Sequence, residues 1–201
     1  MTATPAIRLF RGPEITPWLD QVAQLRLAVF RDWPYLYEGD MDYERQYLAA
    51  YARSADSLFV LALDGGQAVG ASTGLPLADE IASFQQPFHD ASLPVESVFY
   101  FGESVLLPHY RGHGLGHAIF DHRQARARAL GRFRTTAFCA VDRDADDPRR
   151  PAAHRDNQAF WQKRGYRRQP GMTMQLAWEE TGRGEVMHPL TFWTRALEQD
   201  A

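Results

Sequence analysis

Cysteine is almost missing from this sequence, which has one, Cys139, among 201 residues. A single thiol cannot form an intrachain disulfide, and it excludes metal sites built from several cysteines. This composition is typical of proteins in reducing compartments, so we expect a cytoplasmic protein.

The sequence also has no surplus of basic residues and no long apolar run. Its 22 lysines and arginines stand against 25 acidic residues, for a net charge of -3. Nucleic-acid binding by phosphate neutralisation usually needs a positive surplus, and a membrane span needs about 20 consecutive apolar residues. We therefore expect neither a nucleic-acid partner nor a membrane segment. The first residues, MTATPAIRLFRG, contain no apolar stretch typical of a signal peptide.

The chain does contain enough apolar residues for one well-buried core. Hydrophobic residues make up 45% of the 201 positions, a length that suits one core and is short for two independent ones. No internal repeat is visible. These features predict a single domain over residues 1–201.

Apolar spacing along the chain alternates between strand and helix periods. The predicted elements, in order, are a strand at 6–10, a helix at 14–30, a helix from 43, strands at 57–63 and 67–75, a short helix ending before Pro87, a strand at 98–107, a helix at 115–130, a strand at 135–141, a short helix at 157–164 and a strand at 172–178. An Asp-Gly-Gly turn at 64–66 predicts an antiparallel hairpin. The polar stretch 142–156 predicts a surface loop.

The C-terminal tail, residues 182–201, fits either a strand or a helix. Its apolar part, LTFWTRAL, could cover the last strand or form a homodimer contact. The sequence alone does not separate these interpretations.

Residues 106–120 read LLPHYRGHGLGHAIF, where three glycines within five positions join a predicted strand to a predicted helix. Such a turn exposes unpaired amides at the positive end of a helix, which attracts phosphate. A P-loop would need Lys and then Ser or Thr after its last glycine, where His117 and Ala118 stand. A dinucleotide fingerprint counted from Gly112 and Gly114 would need another glycine at 117.

What remains is the pattern R-x-x-G-x-G at 111–116, after a strand that ends in Leu-Pro. Together with NQAFWQKRGY at 157–166, it resembles the acyl-CoA loop of the GNAT family of N-acetyltransferases. The resemblance implies an α/β (α+β) fold with a mixed, mostly antiparallel central sheet flanked by helices and splayed at the strand 98–107. It also implies acetyl transfer from acetyl-CoA to a primary amine, which we expect to belong to a small molecule. Two alternatives are a non-catalytic acyl-CoA sensor or scaffold, and an enzyme that acetylates protein N-termini or lysines.

By the same resemblance, loop amides cradle the pyrophosphate of acetyl-CoA, and amides of the splayed strand bind its thioester and pantetheine. The implied cofactor-binding residues are Val105, Leu106, Leu107, Arg111, Gly112, His113, Gly114, Leu115, Gly116, Asn157 and Trp161. Many family members place a tyrosine at the position of Trp161 to protonate the leaving thiolate. The indole ring of tryptophan has no such proton, so we expect Trp161 to pack against pantetheine. We expect water, Ser104 or Tyr166 to act as the acid instead.

Glu103 is the predicted general base. An alkylammonium has a pKa of about 10 and must lose a proton before it attacks a thioester. A carboxylate inside an apolar strand is costly unless it is paired or used, and Glu103 lies just before the glycine loop. The alternative is a structural carboxylate bonded to one of the arginines, and Glu96 is a weaker candidate base.

The connection between the first two helices commonly covers the acceptor site in this family. Here it includes Trp33, Tyr35 and Tyr37, beside Glu38 and Asp40. Aromatic faces near carboxylates can hold a cationic amine, so the three aromatic residues are predicted to bind substrate. An aromatic minicore under a loop is the other interpretation.

Three histidines recur every four residues, at His109, His113 and His117. On a continuous helix this spacing could hold a metal ion. Pro108 and the glycines make such a helix improbable, so we expect no metal site.

The predicted helix at 115–130 has an apolar face and several arginines. Arg123, Arg126 and Arg128 are assigned to its solvated face. Arginines close to the loop could also contact phosphates of the cofactor.

Overall fold

A mixed, mostly antiparallel sheet organises residues 5–198, which are the residues described in a computed structural model of the chain. Its strands are β1 (Ala6–Phe10), β2 (Leu58–Asp64), β3 (Gln67–Pro76), β4 (Val98–Tyr100), β5 (Ser104–Leu106), β6 (Thr135–Val141), β7 (Arg167–Glu180) and β8 (Gly184–Ala196). The strand order is β1-β2-β3-β4-β6-β8-β7, with β5 paired to β3. Among the strand pairings of residues 5–198, only that of β4 with β6 is parallel. The predicted fold class is confirmed.

Helices flank this sheet. They are α1 (Leu19–Phe30), α2 (Met41–Arg53), α3 (Ala82–Asp90), α4 (Leu115–Ala129) and α5 (Gln158–Lys163). Strand β2 is buried along nearly its whole length, because helices cover both faces of the sheet there. The hairpin predicted from the Asp-Gly-Gly turn is formed by β2 and β3.

The predicted strand 98–107 is interrupted at residues 101–103. Its first part, β4, pairs with β3 and β6, whereas its second part, β5, pairs with β3 alone. A Cβ on Gly102 would lie 2.3 Å from Thr73 Oγ1 and 3.0 Å from the Tyr51 hydroxyl, so only glycine fits at this break. Past the break, β5 and β6 diverge and leave an opening between them.

Two helix predictions need correction. The first helix begins as a 3₁₀ turn, Gly12–Trp18, and becomes α-helical only at Leu19, after Pro17. Helix α3 continues through Pro87 to Asp90 instead of ending before the proline. Proline there removes one amide from a short helix, and burial of Pro87 and Phe88 offsets that loss.

The ambiguous tail forms a strand in the interior of the sheet. Strand β8 lies between β6 and β7 and buries Leu190, Phe192 and Trp193. These side chains belong to the core, so neither a cover over the last strand nor a homodimer contact describes them. Residues 199–201 of the tail lie outside the described residues.

No helix within residues 5–198 combines the length and apolar character that a bilayer span requires.

Candidate functional site

The glycine-rich turn forms the N-terminus of α4. A 3₁₀ turn at Pro108–Tyr110 leads into Gly112 and Gly114, both with φ of +83°. A Cβ on either would meet nothing within 4 Å, so the left-handed backbone, and not crowding, calls for glycine at these two positions. Leu115 anchors the turn by packing its side chain near Ala62 and Val69.

Five consecutive backbone amides in this turn, those of residues 112–116, donate to no acceptor within the described part of the chain. We call them the amide row. The next amides, of His117 and Ala118, donate to Gly114 O at 3.0 and 3.2 Å. The amide of Arg111 donates to Pro108 O at 3.1 Å, so the expectation that Arg111 adds an amide is wrong. The amide row is a ready anion site, since its donors lie at the positive end of α4.

The opening between β5 and β6 begins next to the amide row. The Leu107 amide donates to Val69 O at 3.0 Å, and Glu103 O accepts from the Thr73 amide at 3.2 Å. Antiparallel pairing alternates, so the Val105 amide also points to β3 and the Leu106 amide points into the opening. Free amides at Val105 and Leu107 were expected, and that part of the prediction is wrong.

Strand β6 supplies the other edge of the opening. The Phe101 amide donates to Ala137 O at 2.7 Å, which is the last bond between these strands. Beyond it, the alternation of the ladder directs the backbone groups of Cys139 and Val141 into the opening, because Phe138 and Ala140 bond to β8. Burial raises the pKa of the Cys139 thiol to about 12, which makes it a poor nucleophile.

Glu103 lies at the break between β4 and β5 and is 6% exposed. Its Oε2 is 2.7 Å from Nη1 of the buried Arg26, whose Nε donates to Glu44. Oε1 of Glu103 has no hydrogen-bond partner among residues 5–198. The pairing that the sequence left open is therefore present, and one carboxylate oxygen stays free for proton transfer.

Glu80 completes a carboxylate cluster, which we define as Arg26, Glu44, Glu80 and Glu103. It accepts a hydrogen bond from the Tyr51 hydroxyl, and that hydroxyl lies against the break at Gly102. Burial raises the pKa of Glu80, with a smaller contribution from the negative charge of Glu103.

The connection between α1 and α2 contains Trp33, Tyr35 and Tyr37, and we call it the aromatic segment. It extends to the carboxylate cluster. Burial raises the pKa of the Tyr35 hydroxyl, with Cys139 and Glu103 adding to the shift, and burial followed by Glu44 raises that of Tyr37. Trp33 lies apart from these groups, with its ring edge-on to His154 at 6.2 Å. Two of the three predicted substrate-binding residues are thus placed beside Glu103 or its neighbours.

Glu180 holds the aromatic segment in position. It binds Nη1 of Arg143 at 2.6 Å, and the same guanidinium donates to Pro34 O at 2.6 Å and Tyr35 O at 2.9 Å. Arg149 pairs with Glu180 as well. The polar stretch 142–156 is therefore more than a surface loop, since its arginines tie the aromatic segment to the β7–β8 hairpin.

Glu180→Gln should remove a stability contribution that depends on pH. Burial disfavours ionisation of Glu180, but hydrogen bonds from Arg149 and Arg143 outweigh it and lower the pKa of its carboxyl to about 2, from an ordinary value of 4.5. A lowered pKa stabilises the fold above pH 4.5, and this contribution is lost as pH falls toward 2. The lowered pKa of Glu180 contributes about 3 kcal/mol to the free energy of unfolding near pH 6 and less than about half of that at pH 3.

Urea unfolding of wild type and Glu180→Gln between those pH values measures this difference. The exposed neighbour Glu179 provides a matched control, because Glu179→Gln removes a carboxylate from the same strand without touching the arginines. A stability gap that stays constant with pH would contradict the assignment.

The short helix α5 and its surroundings differ in part from expectation. Trp161 packs between the rings of Phe138 and Trp193, with centroids 4.9 and 5.2 Å away. Asn157 precedes α5, and its side chain makes no capping bond. Tyr166 is 1% exposed, and its hydroxyl lies 2.8 Å from Thr136 Oγ1, so its expected role as an acid is wrong. Ser104, by contrast, is exposed.

Arg123 does not lie on a solvated face, contrary to the prediction. It is 1% exposed, and its Nη1 donates to the carbonyls of Thr73 and Glu103 at 3.3 Å. The guanidinium also lies 4.2 Å from the ring centroid of Phe101, and burial lowers its pKa to about 10. Arg123 therefore supports the break in the strand from the side of α4.

Three or more metal-ligating side chains do not converge anywhere in residues 5–198. Of the regularly spaced histidines, His117 lies on α4, where Nδ1 is 3.1 Å from Nη1 of Arg164. His109 belongs to the 3₁₀ turn, and His113 lies in the amide row. The three residues therefore share no helix.

Comparisons with known proteins show which families and solved structures this chain is similar to. A model of the acetyltransferase (GNAT) family matches residues 22–166. No protein of curated function matches the sequence. A ribosomal-protein-alanine N-acetyltransferase from Brucella melitensis has 16% identity and a TM-score of 0.60, over 96% of this chain and 99% of that one.

Two further solved structures are similar over nearly their whole length. An N-acetyltransferase from Staphylococcus aureus Mu50 has 13% identity and a TM-score of 0.59, over 98% of this chain and 100% of that one. An aminoglycoside 6'-N-acetyltransferase complexed with coenzyme A has 14% identity and a TM-score of 0.59, over 98% of this chain and 99% of that one. At such identities the likeness concerns the fold alone.

Proposed function

This chain belongs to the acetyltransferase (GNAT) family, and on that premise we propose that it transfers an acetyl group from acetyl-CoA to the primary amine of a small molecule. The single observation that carries the proposal is the amide row at residues 112–116, beside the opening between β5 and β6. The predictions of a single domain, a cytoplasmic location and a homodimer stay predictions.

The residues present fit acetyl-CoA. The amide row offers five donors to the two phosphates. The Leu106 amide, with the backbone edge of β6, lies along the opening that would take the pantetheine arm. Acetyl-CoA would supply the activated thioester there.

Glu103 is our candidate base. Its free Oε1 can accept a proton from the incoming ammonium, directly or through water, while its Oε2 is paired with Arg26. The amine nitrogen then forms the C–N bond, the C–S bond breaks, and the second proton that the nitrogen loses balances the proton that the departing sulfur gains. Trp161 cannot protonate the departing sulfur and Tyr166 is buried, so water or the exposed Ser104 supplies that proton.

The proposed class of acceptor rests on the surroundings of the candidate base. Glu44 and Glu103 are buried beside tyrosines, which favours a slender amine over a bulky surface. The structurally similar enzymes named above include one that acetylates ribosomal protein and one that acetylates aminoglycosides, so fold similarity does not choose between acceptor classes.

An amine panel tests the function. The wild-type protein is incubated with acetyl-CoA and a series of alkylamines, aminoglycosides and peptides, and released thiol is measured. Saturable thiol release with a small amine is expected. Release only with peptides would replace the small-molecule proposal by a protein acetyltransferase. Tight acetyl-CoA binding without release for any amine would leave the sensor or scaffold alternative.

A further inference from the structure

The carboxylate cluster holds more negative than positive charge. Two of its three carboxylates, those of Glu44 and Glu103, pair with its one guanidinium, and Arg26 is the only cationic side chain in residues 5–198 in ion-pair contact with any of the three. All four side chains are at least nine-tenths buried. The buried Arg123 also lies close enough to Glu103 to interact with its charge, so the three ionised carboxylates exceed the two nearby guanidinium groups by one negative charge.

The ion pairs do not use all of the buried oxygens. Glu44 and Glu103 bind Nε and Nη1 of Arg26, which lie on different edges of the guanidinium. Glu44 Oε1 and Glu103 Oε1 have no hydrogen-bond partner in the described chain. Buried carboxylate oxygens normally have partners, and an unpaired buried charge is strongly unfavourable. These two oxygens can therefore accept a further donor from outside the protein, in addition to the Tyr37 hydroxyl that lies within hydrogen-bonding reach of Glu44.

The cluster also adjoins the proposed acceptor site. Glu103 lies at the break where the opening begins, and the Tyr51 hydroxyl links Glu80 to the same break. Tyr37 is close enough to Glu44 for that carboxylate to raise the pKa of its hydroxyl, after the larger effect of burial. Both tyrosines of the aromatic segment, Tyr35 and Tyr37, are partly exposed, so the segment joins solvent to the buried charge.

We propose that the acceptor is an aliphatic amine with a second positive charge, whose distal ammonium is recognised by the surplus charge of the carboxylate cluster. An ammonium donates up to three hydrogen bonds, and the free Oε1 of Glu44 and the tyrosine faces suit it, which leaves Oε1 of Glu103 to the reacting amine. A carboxylate at the distal position is repelled by the same charge. This inference rests on the proposed function and adds to it the charge of the acceptor.

Three acceptors with the same reacting aminobutyl chain test the inference: 1,4-diaminobutane, 1-aminopentane and 5-aminopentanoate. Their distal groups are positive, neutral and negative. We expect kcat/KM to fall at least tenfold from the first to the second, and again from the second to the third. The preference for the diamine should weaken in high salt, although less than for an exposed pair.

Glu44→Gln identifies the source of the preference. It keeps the size of the side chain and should reduce the ratio of kcat/KM for the diamine over 1-aminopentane at least fivefold. Asp42→Asn is the matched control, because it removes a carboxylate from the same helix at a position where the side chain is 84% exposed. That variant should keep the ratio within twofold.

The outcomes separate this inference from the function on which it rests. Equal rates for the three amines, or a faster reaction of 5-aminopentanoate, would overturn the cationic acceptor and leave acetyl transfer intact. An unchanged ratio in a folded Glu44→Gln variant would also overturn it. If none of the three amines, nor any amine of the wider panel, released thiol, the proposed function itself would fail.

Discussion

Gly114→Asp should abolish measurable binding of acetyl-CoA. Gly114 is the N-cap of α4 in left-handed conformation, in the middle of the amide row. Aspartate there adds a carboxylate that competes for the free amides and repels the pyrophosphate, and its Cβ strains the backbone by roughly 1–2 kcal/mol. Charge-assisted bonds to several amides would be lost together, so we expect affinity to fall at least about 100-fold. Calorimetric titration with acetyl-CoA measures the effect.

Gly131→Asp is the matched control for strain. Gly131 follows the other end of the same helix with φ of +73°, and a Cβ there would also meet nothing within 4 Å. This variant should carry the same backbone cost and keep acetyl-CoA affinity within about twofold, because no free amide row surrounds it. If Gly114→Asp is folded and binds acetyl-CoA as tightly as Gly131→Asp, the amide row does not bind pyrophosphate.

Glu103→Gln should lower kcat by at least about 100-fold, which is the usual scale for loss of a general base. Glutamine keeps the size of the side chain and cannot take a proton from the amine. Acetyl-CoA affinity should change less than about threefold, since the amide row lies at the other end of β5. The two quantities are measured by steady-state kinetics and by titration.

The pH profile separates a base from a structural carboxylate. A general base shapes the dependence of kcat/KM on pH, so the part of the wild-type profile that is due to the base should be missing from Glu103→Gln. The rise caused by the amine itself near pH 10 should stay. If the variant instead shows an equally shaped profile, reduced in proportion to a lower thermal stability, then Glu103 acts only through its pair with Arg26.

The sequence indicates the buried positions of Arg26 and Glu44 through helix spacing, which the prediction did not use. Arg26 stands four positions after Val22, on the apolar stripe of α1, and Glu44 stands four before Leu48 on the stripe of α2. A charge on a buried stripe implies a buried partner. The stripe does not identify that partner, since helical spacing carries no information about other elements.

The interior strand β8 and the burial of Arg123 exceeded what local patterns could predict. The tail is ambiguous because the apolar residues of LTFWTRAL fit either a helix or a strand period. It forms strand β8 because β6 and β7 each have an edge with which its backbone can pair. Arg123 was predicted to face solvent because it is charged. In the structure its guanidinium donates to the carbonyls of Thr73 and Glu103 at the strand break. It also lies over two aromatic rings, those of Phe101 and Phe120.

Residue patterns along the chain were sufficient to predict the hairpin of β2 and β3 and the glycine turn into α4. Both depend on neighbouring residues, because a tight turn, a left-handed φ and a helix start are local properties of the backbone. The proximity of Arg26, Glu44, Glu80 and Glu103 is visible only in the folded protein. They come from four separate parts of the chain, and what brings them together is the packing of α1 and α2 against the broken edge of the sheet.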